Sequence, residues 1–153
     1  MGLSARAIIE GLSPAQKREL ERSIIKSIPR EACGLVLLDA NGEGLIKSCD
    51  NLADQYHAAD PHNFPMTGHD GYVLDPLAIV AAEKRGARLV GIWHSHVGVG
   101  AYFSAEDVQG ALVEGQPAFP GVDFVVFDAQ HDGVRGYRVY RHAGGKTFAE
   151  VED

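Results

Sequence analysis

The chain has 153 residues, of which 45% are hydrophobic and 23% charged, and its formal net charge is −7. That length and mix fit one globular domain with a sizeable core. The acidic balance excludes nucleic-acid binding driven by phosphate neutralisation, and no apolar run is long enough to span a bilayer, so neither nucleic acid nor membrane is an expected partner.

Residues 1–12 read as a partly ordered N-terminal arm without the apolar core of a signal peptide, and residues 13–153 as the domain. Ser13-Pro14-Ala15-Gln16 predicts a helix start, with Ser as N-cap, Pro at the first helical position and Gln closing a capping box. Leu20, Ile24, Ile25 and Ile28 give the apolar stripe, and Pro29 ends the helix. Cys33 to Leu38 is a nearly continuous apolar strand. Asn41-Gly42 predicts a hairpin returning through Gly44 to Cys49. A two-residue turn would set Ala40 opposite Glu43 and Cys33 opposite Asp50, with Cys49 on the other face. Both cysteines therefore read as reduced thiols, which favours a cytoplasmic location.

Asn51 to Tyr72 reads as an irregular loop of roughly twenty residues, long enough to be functional or mobile. Its His57, His62 and His69 have no paired spacing and read as solvated loop residues rather than a second metal site. Asp75-Pro76 caps a helix that runs to about Arg85 and stops at Gly86. Ala87 to His96 is an apolar strand of the kind covered on both faces. A Gly-containing loop, Val97 to Phe103, leads to a helix opening at Ser104 and ending near Gly115. Asp123–Asp128, Val134–His142 and Lys146–Glu152 are three further strands, turned at Asp132-Gly133 and Gly144-Gly145.

The chemistry concentrates in HSHVGVGAYFSAED, residues 94–107. Histidines at i and i+2 of a strand point to one side, so His94 and His96 can reach one metal ion. Asp107 can add a third ligand from the next helix, and two His plus one carboxylate leave one tetrahedral position open. Each part also has a plain structural reading. The histidines can be ordinary strand residues, and Ser-x-x-Asp is a common helix start. A hydrolase further needs a group that moves a proton from water to the leaving amine. Glu31, between the first helix and the first strand, is the candidate. By pattern alone it is an ordinary loop glutamate.

Glu31, His-x-His, seven residues and Ser-x-x-Asp together resemble the JAMM (MPN+) family of zinc metalloproteases, in its small prokaryotic branch. Pro29-Arg30-Glu31-Ala32-Cys33-Gly34-Leu35 resembles that branch's P-x-E-x-C-G-L segment. Asn51-Leu52-Ala53, Val73-Leu74-Asp75-Pro76 and Phe148-Ala149-Glu150-Val151 fit the same class, and the resemblance runs from about Ser13 to Glu152. It implies an α/β MPN-type domain, a central mixed β-sheet packed between α-helices in the cytidine-deaminase-like manner. It implies one Zn2+ per chain on His94, His96 and Asp107. Glu31 would be the general base, and Ser104 would donate a hydrogen bond to the developing oxyanion. Ser95 points away from the ligands and is given a packing role. The family usually has Pro after the second His; here Val97 stands there, which removes a restraint on the loop. The resemblance further implies a zinc metallopeptidase that cuts amide or isopeptide bonds at the C-terminus of a ubiquitin-like or sulfur-carrier protein ending in Gly-Gly. The alternatives are a peptidase of a phage-tail or conjugation-based defence system, and a non-catalytic MPN scaffold, which would usually lack the ligands.

Overall fold

The computed structural model describes residues 3–153. In chain order these form α1 (Ala5–Glu10), α2 (Pro14–Ser27), β1 (Cys33–Leu38), β2 (Gly44–Cys49), α3 (Ala53–Ala59), α4 (Pro76–Lys84) and β3 (Arg88–Val97). Then come α5 (Ala105–Gly110), β4 (Leu112–Val113), β5 (Gln116–Pro117), β6 (Asp123–Gln130), β7 (Gly133–His142) and β8 (Phe148–Val151). Six strands make one sheet in the order β2-β1-β3-β6-β7-β8. β3 and β6 run parallel and every other pair is antiparallel. This is the α/β domain with a mixed sheet between helices that the resemblance implies.

The alternation of side chains along the central strands sorts the core into two layers. Val36, Leu38, Trp93, Val125 and Phe127 face Ile8, Ile9, Leu12, Leu20 and Ile24 of α1, α2 and their junction. Leu35, Leu37, Ile92 and Phe124 face Ile79 and Ala82 of α4 on the other side. Gly34 is required by this packing. A Cβ there would stand 1.9 Å from the Lys47 carbonyl and 2.4 Å from Trp93 Nε1, because the indole crosses β1 to donate to that carbonyl.

The predicted α2 is present with its Ser13/Gln16 capping box, and α4 starts on the Asp75 side chain and is stopped by Gly86 at φ +84°. Four expectations differ. Residues 1 and 2 lie outside the described residues, but the rest of the segment read as an arm forms α1, capped by Ser4, and it buries Ala5, Ile8, Ile9 and Leu12. The segment is only about two turns long, too short for a helical period to stand out.

The β1–β2 register is one residue away from the predicted one: Cys33 pairs with Cys49 and Leu38 with Gly44. The Asp39 carboxylate accepts the amides of Asn41 and Glu43, and Gly42 takes φ +79°. That is a three-residue loop with a left-handed third position rather than a two-residue turn. Both cysteines are nonetheless free thiols.

The irregular region holds a helix, α3, whose first amide (Ala53) is taken up by Asn51 Oδ1. Finally, α5 ends at Gly110, not near Gly115. Glu114 (φ +52°) and Gly115 (φ +78°) reverse the chain into the small β4–β5 hairpin.

Candidate metal centre

His94 and His96 close β3 on the same face as Ile92, and both are buried. Asp107 comes from the first turn of α5, where Ser104 and Asp107 form a capping box. Ser104 Oγ accepts the Asp107 amide and Asp107 Oδ2 accepts the Ser104 amide, each at 3.0 Å. The cap aims the carboxylate at the imidazoles. Oδ1 lies 3.1 Å from His94 Nε2 and Oδ2 lies 3.2 Å from His96 Nε2. The two Nε2 atoms are 3.2 Å apart. Asp107 thus meets the two imidazoles through different oxygens, and the three side chains form a compact triangle with contacts of 3.1–3.2 Å. Glu31 adjoins it: one of its oxygens and one nitrogen each of His94 and His96 all lie within 4.8 Å of one another. Among the described residues this buried Glu-His-His group could hold a metal ion, with Asp107 pressed against both imidazoles.

The hydrogen bonding of His96 suits that role. His96 Nδ1 donates to the Gly100 carbonyl at 3.1 Å, which leaves Nε2 as the nitrogen that would ligate a metal once it gives up its proton. His94 Nδ1 is buried without a partner, and Tyr72 stacks on the His94 ring at 4.5 Å between centroids. Tyr102 meets the His96 ring edge-on at 4.9 Å.

Charges in the site are strongly perturbed. Burial pushes Glu31 up to about 8, with the charges of Asp107, Asp70 and Glu106 adding to it and His96 opposing. One carboxylate oxygen, Oε1, has no hydrogen-bond partner. Burial would raise Asp107 too, but the two imidazoles and the Ser104 amide hold it well below the usual carboxylate range. Burial lowers His94, while for His96 the bond to Asp107 and its charge outweigh burial and raise it. The neutral, low-proton state of His94 is the state that binds a metal.

Glu31 itself is fixed through its backbone by three separate segments. Its amide donates to the Gly68 carbonyl at 2.7 Å, and its carbonyl accepts from Asn51 Nδ2 at 2.9 Å. The next residue, Ala32, donates its amide to Ser95 Oγ at 2.8 Å and accepts the Ser95 amide at 3.0 Å. Ser95, read from sequence as a packing residue, thus also bonds the chain beside Glu31. Asn51 and Tyr72 were not singled out as site residues. An Asn in a polar loop and a Tyr in a Gly-rich one carry no spacing signal.

The loop that lacks the usual Pro is held by other means. The Gly98 amide donates to the Ala129 carbonyl at 2.9 Å, and Tyr140 Oη donates to the Ala101 carbonyl at 2.7 Å. Phe103 packs among Phe124, Tyr140 and Phe148. His57, His62 and His69 form no metal-ligating group among the described residues; His57 Nδ1 bonds the Phe64 carbonyl at 2.8 Å.

Beside Asp107 an apolar cavity of about 270 Å³ is walled by Met66, Tyr72, Ile79, Ile92, Phe119 and Phe124. Past Glu106 and Gly110 it borders a groove of about 620 Å³ along Asn63–Met66. Among the described residues no helix is long and apolar enough to cross a membrane.

Residues 15–139 match the family of prokaryotic homologs of the JAB domain (Prok-JAB). No curated protein matches the chain. Two solution structures are similar in fold. A Salinibacter ruber protein aligns at 20% identity and a TM-score of 0.58 over 92% of this chain and 87% of that one. A Desulfitobacterium hafniense protein aligns at 20% identity and a TM-score of 0.60 over 92% and 88%.

Proposed function

The chain belongs to the family of prokaryotic JAB-domain homologs, and on that footing we propose that it is a zinc metallopeptidase of the JAMM type. The observation that carries this reading is the His94–His96–Asp107 triangle with a buried, largely unpaired Glu31 at its side. In the proposed site those three residues would hold one Zn2+ beside Glu31. Such an ion would supply Lewis-acid polarisation of water and carbonyl.

Glu31 takes a proton from the attacking water and returns it to the leaving amine. A carboxyl that burial brings close to neutrality can do both, since efficient proton transfer needs a pKa near the working pH. A cation beside it draws that value down, which favours the base form at the start of the cycle. Ser104 Oγ accepts the Asp107 amide, so its own O–H is left to donate to an oxyanion.

The proposed substrates are ubiquitin-like or sulfur-carrier proteins with an extended Gly-Gly tail, whose last peptide or isopeptide bond is cut. The groove between α5 and the Asn63–Met66 segment borders the cavity beside Asp107 and suits an extended chain. The test is a carrier protein bearing one residue beyond its Gly-Gly end, incubated with the zinc-loaded protein and read by intact mass. Loss of the added residue with wild type, and none with His94→Ala, is expected. Retention with fully zinc-loaded wild type, across both carrier types, would refute the substrate assignment.

A further inference from the structure

Asn51 is a polar side chain buried at 8% exposure, and it spends every hydrogen-bonding group it has on backbone. Its Nδ2 donates to the Glu31 carbonyl at 2.9 Å and to the Gly71 carbonyl at 3.0 Å. Its Oδ1 accepts the Ala53 and Val73 amides, both at 3.0 Å. Its main chain forms an isolated bridge with Leu74, and the Arg30 guanidinium donates to its carbonyl. One side chain thereby joins three parts of the site that are far apart in sequence. These are the peptide carrying Glu31, the Gly71–Val73 segment that lays Tyr72 on His94, and the start of α3. A Glu31 oxygen lies within 4.8 Å of nitrogens of His94 and His96, and Tyr72 stacks on the His94 ring.

We propose that Asn51 is a positioning residue that sets the place of Glu31 relative to His94 by holding the Glu31 and Tyr72 segments at a fixed separation. The proposal rests on the hydrolase reading above and goes beyond it. A buried amide with all four bonds made is a rigid bracket, and losing one side of it exposes buried carbonyls without partners. Displacing a catalytic group by about 1 Å from a remote site can cost roughly 10²-fold in rate. Asn51 does not touch the ligand triangle, so metal content does not depend on it.

The discriminating variant is Asn51→Asp. It keeps the acceptor for Ala53 and Val73 but replaces the donor to the Glu31 and Gly71 carbonyls with an oxygen. On the zinc-loaded protein the expected result is full zinc, an unchanged KM and a kcat lowered by roughly 10-fold to 10²-fold through misplacement of the base. Loss of zinc, or a raised KM at unchanged kcat, overturns the positioning role. So does a kcat equal to wild type while Glu31→Gln is inactive. If instead Glu31→Gln cleaves as well as wild type, Glu31 is not the base, and if zinc-loaded wild type cleaves no carrier, it is the hydrolase reading that fails.

Amide hydrogen exchange on wild type gives a test that needs neither a variant nor activity. The Ala53 and Val73 amides, both bonded to Asn51 Oδ1, should exchange as slowly as β1 and β3 amides. Exchange at the rate of exposed loop amides means the bracket does not exist, and the proposal is wrong even if Asn51→Asp proves unstable.

Discussion

Ser95→Ala perturbs the backbone beside Glu31 without touching a proposed ligand atom. Ser95 is fully buried, and its Oγ is the acceptor for the Ala32 amide at 2.8 Å. Alanine fits the space but leaves that buried N–H unpaired. An orphaned buried donor costs about 1–3 kcal/mol, and for a domain of this size each kcal/mol moves Tm by about 2–4 °C, so the expected fall is roughly 2–12 °C. The bond from the Ser95 amide to the Ala32 carbonyl remains, so β1 and β3 stay paired and the fold is retained. Differential scanning calorimetry of the metal-free protein reads the stability, and hydrogen exchange reads the Ala32 amide directly. The Ala32 amide should lose protection selectively, while those of Val36 and Ile92 change only with global stability. A Tm unchanged to within about 1 °C, with Ala32 still protected, would refute the idea that Ser95 fixes this segment.

Tyr140→Phe removes the bond to the Ala101 carbonyl and should loosen the loop between His96 and Ser104. Stability should fall by only about 0.5–1.5 kcal/mol, zinc should be retained, and kcat should drop severalfold, which steady-state kinetics would check. In the metal-free protein Glu31 is raised from 4.5 to about 8, so the folded state holds its proton more tightly than the unfolded state does. Its contribution is fully present below pH 4.5 and is lost as pH rises through 8. Glu31→Gln should therefore gain stability relative to wild type across that window in urea titrations of the metal-free protein, and a constant difference would contradict the burial effect. Burial pushes the Cys33 thiol up to about 12, and the thiol of the half-buried Cys49 is raised as well. Iodoacetamide at pH 8 should leave Cys33 unlabelled in the native protein and label both thiols in denaturant, as peptide mass mapping would show.

The site's main atoms were legible in sequence because their geometry follows from local rules. The i, i+2 period of a strand put His94 and His96 on one face, and a helix cap put Asp107 one turn inside α5. Glu31 was legible only through the family pattern, since its closeness to the imidazoles depends on the β1–β3 pairing. What was missed depended on long-range or cancelling choices. The Asp39 side chain selected a three-residue turn over the two-residue turn that Asn41-Gly42 suggests, and one residue of slip brought Cys33 opposite Cys49. The role of Asn51 arises from four bonds to residues 2 to 22 positions away, none of which leaves a periodic trace. α1 was hidden by its brevity; tertiary burial of Ile8 and Ile9, not helix propensity, holds it.

The most direct test of a zinc site worked by a separate carboxylate base is the cleavage rate of zinc-loaded Glu31→Gln, with metal content determined on the same sample. About one zinc per chain should remain, because Glu31 is not a proposed ligand. Cleavage of the extended carrier should fall by at least roughly 10²–10⁴-fold, the usual contribution of general acid–base catalysis. Undiminished cleavage at full zinc, or loss of the zinc itself, would contradict the assignment of Glu31 as the base beside a His94–His96–Asp107 metal site.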